Sequence, residues 1–204
     1  DYDGLELRTM AQACKVLVGY STLADTLNSG LDPHLEFGGC DILGLSYEEA
    51  ERRQKAEKVA FEACVKELCE RYSKEDARLQ AGLDIPQIVD NARQTGKVFN
   101  FGKPGGMGAE KFVLAARKQY GVRLTVERVR ELSALWYRRH PEFRQYQQLI
   151  SNMRGADGKI TIRQLYSGRI RGGCSYTEAC NSYFQGLGAD LAGAATFLVS
   201  EACY

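Results

Sequence analysis

Apolar residues recur along this chain at helical rather than strand spacing for most of its length. Leu7, Met10, Cys14 and Leu17 fall at steps of three and four and predict a short helix over 7–17. Just before it, apolar Leu5 and Leu7 alternate with charged Glu6 and Arg8, a period of two that reads as an opening strand. Residues 27–44 are rich in Gly, Asp and Pro and read as a loop that carries His34. Ser46-Tyr47-Glu48-Glu49 is a capping-box signature for a following helix. Phe61, Val65, Leu68 and Tyr72 then recur at heptad-like steps among many charges, which predicts an amphipathic helix or helix pair with a charged outer face.

A helix over about 90–104 comes next, ended by Pro104 and the run Gly105-Gly106-Met107-Gly108. Helices follow over 109–120, over 125–139 with Thr125 as N-cap and His140-Pro141 as the stop, and over 142–153. Lys159 to Ile162 and Ser167 to Ile170 read as a hairpin. From Tyr176 onward the chain reads as one long Ala-rich helix, with Gly186, Gly188 and Gly193 permitting close backbone approach. The fold class is therefore α+β, predominantly helical, with a small β element.

Charge alters this picture more than composition does. The net charge of the 204 residues is only +1, but residues 1–92 hold 10 Lys+Arg against 18 Asp+Glu, and residues 93–204 hold 17 against 8. Such an asymmetry fits a polyanionic partner for the second half, or simply solvated helices of unequal charge. Seven cysteines include no Cys-x-x-Cys pair, and there are only two histidines, so the usual zinc spacings are absent. No apolar run reaches the ~20 residues needed to span a bilayer. The expectation is a soluble, intracellular protein with free thiols and no membrane association, cytoplasmic in a bacterial or virus-infected cell.

Arg93, Lys97 and Phe101 stand four apart. On a helix this spacing stacks two cations and a ring on one face. A guanidinium and an ammonium suit phosphate oxygens, and an aromatic ring offers a stacking surface to any base. The plain alternative is a solvated helix face with a ring at its edge. For Asp1 and Asp3, oxygen ligands of a hard cation and a solvated terminus are both compatible with the sequence.

Four segments in order, spread over nearly the whole chain, resemble motifs of the family A DNA polymerases, the DNA polymerase I group. Asp1-Tyr2-Asp3-Gly4-Leu5-Glu6-Leu7-Arg8 resembles that family's first palm motif. Asp32-Pro33-His34 resembles the Asp-Ile-His that precedes the fingers helix. The stretch from Arg93 to Gly106 resembles the fingers helix, Arg-x3-Lys-x3-Phe/Tyr-x3-Tyr-Gly. Asn181 to Asp190 resembles Asn-Ala-Pro-Met-Gln-Gly-Thr-Ala-Ala-Asp. The resemblance implies a partial right-hand polymerase fold. Residues 1–20 would be a palm segment, with a metal-binding strand and the helix after it. Residues 21–153 would form the fingers, with an inserted helical region at about 41–90 and the nucleotide-binding helix at about 90–104. Residues 154–204 would return to the palm.

The implied activity is dNTP addition to a primer 3′-hydroxyl by two-metal phosphoryl transfer on primer–template DNA. Asp1 would be a catalytic carboxylate and, with the Tyr2 carbonyl, a ligand of one of two Mg2+ ions. Arg93, Lys97 and His34 would hold the triphosphate, and Lys97 would also protonate departing pyrophosphate. Phe101 would stack on the nucleotide, and Phe rather than Tyr there predicts discrimination against dideoxynucleotides. Glu6 would exclude the ribose 2′-hydroxyl, or else pair with a cation such as Arg8. Asn181, Gln185, Arg169 and Arg171 would face DNA.

The family's second aspartate lies in a His-Asp-Glu motif beyond the Gln185 helix, and no His-Asp-Glu occurs here. The expectation is a piece of a longer polymerase, inactive alone, whose remaining partners are its own thumb and the rest of the palm. Two departures stand out: Gly105-Gly106 replaces the family's Tyr-Gly, and Gly4 replaces its Gln. They resemble what is found in divergent viral or phage members. A nucleic-acid-binding module without chemistry, a helical adaptor whose 41–90 region binds a protein, and a relative of the single-subunit RNA polymerases are the alternative readings, Glu6 favouring deoxynucleotides over the last.

Overall fold

The computed structural model describes residues 4–203. Helix α1 spans Leu5–Val18, α2 Thr22–Asn28 and α3 only Pro33–Leu35, which runs directly into a π-helix, Glu36–Ile42. Then come α4 (Tyr47–Leu68), α5 (Lys74–Asp84), α6 (Ile88–Gly102), α7 (Ala109–Tyr120), α8 (Val126–Arg139) and α9 (Glu142–Asn152). Strands β1 (Ile160–Arg163) and β2 (Ile170–Cys174) form an antiparallel pair, and α10 covers Tyr176–Cys203. The expected class holds: mostly helix, with one two-stranded sheet. No described helix is long and apolar enough to cross a membrane. The seven cysteines are all unpaired.

Capping chemistry places several helix starts. The Ser46 hydroxyl accepts from the Glu49 amide, the Ser73 hydroxyl from Asp76 and the Thr125 hydroxyl from Arg128. The main core gathers Met10 and Cys14 of α1, Phe99 of α6, Phe112 of α7, Trp136 of α8, Phe143 and Tyr146 of α9, Ile160 of β1 and Phe184 of α10. A second, small cluster of Leu35, Ala50 and Val89 ties α3, α4 and α6 together. A third, of Val65, Ala77 and Ala81, closes the α4–α5 hairpin.

Four expectations need correction. Residues 5–8 are helix, not strand. Gly4 sits in the left-handed region at φ 66°, and α1 starts at once so that Leu7, Met10, Ala11 and Cys14 can share one buried face. Four alternating residues fit either period, and the core decided between them. The 27–44 loop is also largely helical. Its glycines serve packing: a Cβ at Gly38 would collide with the Ala92 carbonyl of α6, and one at Gly39 with the Ala50 methyl. The hairpin strands lie slightly later than expected, joined with a register irregularity between Ile160 and Ile162. Tyr72 falls past the end of α4 and is exposed, so the apolar stripe of that helix stops at Leu68.

Asp1 and Tyr2, expected as catalytic and metal-binding groups, lie outside the described residues. The inserted region at 41–90 contains the α4–α5 hairpin, and it packs against the N-terminal end of α6. Glu57 of α4 accepts the Val89 amide at 3.0 Å and the Asp90 amide at 3.1 Å, supplying α6 with a cap from another helix. Gln54 and Lys58 hold Asp90, at 2.8 and 3.6 Å.

Candidate functional site

Helix α6 turns Val89, Ala92, Gly96, Val98, Phe99 and Asn100 inward and leaves Arg93, Lys97 and Phe101 half-buried at its outer edge. The inward face is unusually close to α3. A Cβ at Gly96 would fall on the His34 carbonyl oxygen, so only glycine lets α6 lie against that turn. The helix stops where Lys103 donates its amide to the Phe99 carbonyl and Pro104 follows.

Asp32 builds the other wall. Its carboxylate caps α3, accepting the His34 amide at 2.8 Å and the Leu35 amide at 3.4 Å. The second carboxylate oxygen takes the Arg93 Nε–H at 2.6 Å. Burial pushes Asp32 upward, but the Arg93 hydrogen bond and charge, together with the His34 amide and ring, outweigh it and hold the carboxyl below its usual range. The His34 ring lies 5.4 Å from the Phe101 ring, tilted by 51°. Burial pushes His34 down to about 4; Asp32 opposes this, and the charges of Arg93 and Lys97 reinforce it. His34 is therefore neutral at pH 7. Lys97 has no ion-pair partner among the described residues.

Residues from two segments some sixty positions apart thus converge: Asp32 and His34 from one, Arg93, Lys97 and Phe101 from the other. Beside Phe101, a small cavity of about 60 Å³ is lined by Met107, Phe112 and Tyr120. Glu6 lies on this side of the molecule, where its charge, after burial, helps to raise the Tyr120 hydroxyl. Burial also raises the Glu6 carboxyl itself.

The remaining candidates lie on the first half of α10 and on the hairpin packed against it. The Asn181 amide donates to the Thr177 carbonyl at 2.9 Å, and its oxygen would be 2.7 Å from a Cβ at Gly105. The loop after α6 is thereby pinned to α10, and Gly106 lies equally close to the Tyr176 ring. Gln185 is exposed. Arg171 reaches the Ser182 hydroxyl at 3.1 Å, while Arg169 pairs with Asp190 and approaches the Gly186 carbonyl at 3.4 Å. Neither hairpin arginine is an unengaged cation, so DNA would have to compete for them.

Three neighbours of the site were not visible in the sequence as site residues. Asn100 bridges α3 and α8. Tyr176 fills the space that Gly106 leaves. Lys103 lies buried with its ammonium 4.7 Å from the Phe112 ring centre and 5.7 Å from that of Phe99, pushed down to about 8 by burial. No group of three His, Cys, Asp or Glu side chains among the described residues could hold a metal ion.

The sequence matches no model of a known protein family and no curated protein.

Proposed function

We propose that this chain is the palm-and-fingers part of a template-directed DNA polymerase resembling family A, and that α6 with the Asp32–His34 turn binds the incoming dNTP. The observation that carries this reading is the convergence on one helix edge of Arg93, Lys97 and Phe101 with His34. Two of these four are cations, one is a neutral imidazole and one is an aromatic ring. Such a set suits a ligand with a polyanionic tail and a flat base.

Each group has a separate task. Asp32 holds Arg93 by Nε, which leaves the terminal nitrogens of the guanidinium for phosphate oxygens. Lys97 contributes a point charge and can give a proton to the leaving pyrophosphate. His34 adds a hydrogen bond without adding charge. The Phe101 ring meets the base or sugar, and Glu6, on the Tyr120 side, limits what fits at the ribose. Asn181, Gln185 and the hairpin arginines would line the DNA.

Magnesium would be held by Asp1 and the Tyr2 carbonyl, outside the described residues, together with groups from the rest of the palm. When bound, it would neutralise charge on the attacking and leaving oxygens.

Titration of the protein with a fluorescent dATP analogue tests the reading. Lys97→Ala should weaken binding by roughly ten- to a hundredfold, the range for a hydrogen bond to a charged group. Unchanged affinity would remove Lys97 from the site and the polymerase reading with it. DNA binding without any dNTP binding would favour a nucleic-acid-binding module instead.

A further inference from the structure

We propose that Asn100 is the positioning residue that fixes His34 as the neutral tautomer protonated on Nε2, making its outer nitrogen a hydrogen-bond donor for a nucleotide oxygen. The inference rests on the nucleotide-binding reading of α6 and gives His34 a defined chemical state within it.

The hydrogen-bond geometry allows one solution. The Trp136 indole nitrogen can only donate, and it lies 2.7 Å from the Asn100 side-chain oxygen. That contact sets the orientation of the amide. The amide nitrogen then faces two atoms at 3.0 Å, the Pro33 carbonyl oxygen and His34 Nδ1. It has two hydrogens for those two atoms, and the carbonyl can only accept. Nδ1 must therefore present a lone pair, so the ring proton of a neutral imidazole is on Nε2. An imidazolium would set one N–H against another. Asn100 is 2% exposed and Trp136 is 1% exposed, so water cannot substitute in this frame.

The surroundings agree with that state. Arg93 and Lys97 from α6 face His34 and oppose a positive ring; Asp32 from α3 favours one but already accepts from Arg93 and from two backbone amides. Phe101 lies against one side, and Trp136 of α8 joins the frame through Asn100. Nε2 has no hydrogen-bond partner among the described residues, yet it is not a sealed atom: among them, the only fully buried side-chain nitrogen or oxygen without a partner is His140 Nε2. A donor on Nε2 beside two cations is oriented for an anionic oxygen and adds no further repulsion between protein charges.

Nitrogen NMR of the imidazole rings tests this without nucleotide. From pH 5.5 to 8, His34 should keep a protonated Nε2 and a bare Nδ1. Asn100→Asp replaces the donor with a carboxylate, so Nδ1 should become protonated and His34 should titrate nearer to neutral pH. Its dATP affinity, read as a ratio to the wild type at each pH, should be about tenfold weaker at pH 8, where Nε2 carries a lone pair. The ratio should recover towards pH 6 as the ring gains its second proton. Should Asn100→Asp not fold, Asn100→Leu keeps the side-chain shape but offers Nδ1 no donor, and His34 should then populate both tautomers.

A wild-type His34 protonated on Nδ1 at neutral pH, or a tautomer indifferent to both substitutions in folded protein, overturns the assignment. If instead the tautomer is as described but the wild-type protein binds no dATP, the nucleotide reading of α6 is what fails.

Discussion

His34 and His140 are both buried, and burial holds both imidazoles well below their ordinary range, at about 4 and about 3. What surrounds them differs. His140, between α8 and α9, has Nδ1 2.9 Å from the Thr22 hydroxyl. Beside it, the fully buried Glu142 carboxylate accepts from the Thr22 hydroxyl at 2.9 Å and caps α2 through the Leu23 amide at 3.2 Å. His140 Nε2 is enclosed, with no hydrogen-bond partner among the described residues. His34 is less completely buried, 7% exposed against 1% for His140, and has two cations, a capping carboxylate and a ring around it. One histidine is locked in a helix junction; the other is presented. Burial depresses an imidazole wherever it lies, so the depression alone does not set His34 apart; its company of Asp32, Arg93, Lys97 and Phe101 does.

Trp136 lies between the two and is the place to break the comparison. Its N–H reaches Asn100 on the His34 side, and its ring centre is 5.1 Å from that of His140. Trp136→Ala should cost about 3–5 kcal/mol of stability, as for other large core truncations, and disturb both sites together. Chemical denaturation would measure it, and a loss below about 1 kcal/mol would mean that the indole is not core. Gly96→Ala should act on one side only. The added methyl must push α6 away from the His34 carbonyl, at a cost of about 1–3 kcal/mol, with dATP affinity falling alongside. An intact affinity in that variant would show that α6 and the His34 turn need not touch.

Trp136→Phe should sharpen the contrast. It keeps an aromatic ring beside His140 and leaves the Asn100 oxygen without its donor, for about 1–3 kcal/mol. The His140 NMR signals should stay in place while those of His34 change; movement of both would mean that the two sites are not separable.

The last effect concerns acid. Both folded-state values lie below the unfolded one, so the unfolded chain takes up protons first and stability falls as pH drops below about 6.5. The loss from His34 should be complete near pH 4 and that from His140 near pH 3. Melting temperatures of His140→Gln across this range should flatten below pH 4, and an unaltered slope there would assign the acid sensitivity to carboxylates instead.

Local chemistry was readable in the sequence, and long-range chemistry was not. Ser46, Thr125 and the Gly105-Gly106 run set helix boundaries through contacts within a few residues, so α4, α7 and α8 lie close to where the pattern puts them. Spacing likewise placed Arg93, Lys97 and Phe101 on one edge. Residues 27–44 misled because their glycines look like turn residues, whereas Gly38 and Gly39 are required by α6 and α4, which lie far along the chain. Asn100 looked like an ordinary helix residue. Its partners, Pro33 and Trp136, are 67 and 36 positions away, and no periodicity reports such a pairing. The opening strand was misjudged for a related reason, since four alternating residues cannot reveal which face the core will claim.

The Glu57 cap on α6 makes the α4–α5 hairpin awkward to remove. A shortened chain lacking it would leave the Val89 and Asp90 amides without their acceptor and loosen the end of the helix that carries Arg93. Such a truncation would disturb the proposed nucleotide site even if the hairpin never met another molecule. Charge reversal at the exposed tip, which leaves Glu57 in place, is the cleaner way to ask whether anything grips it.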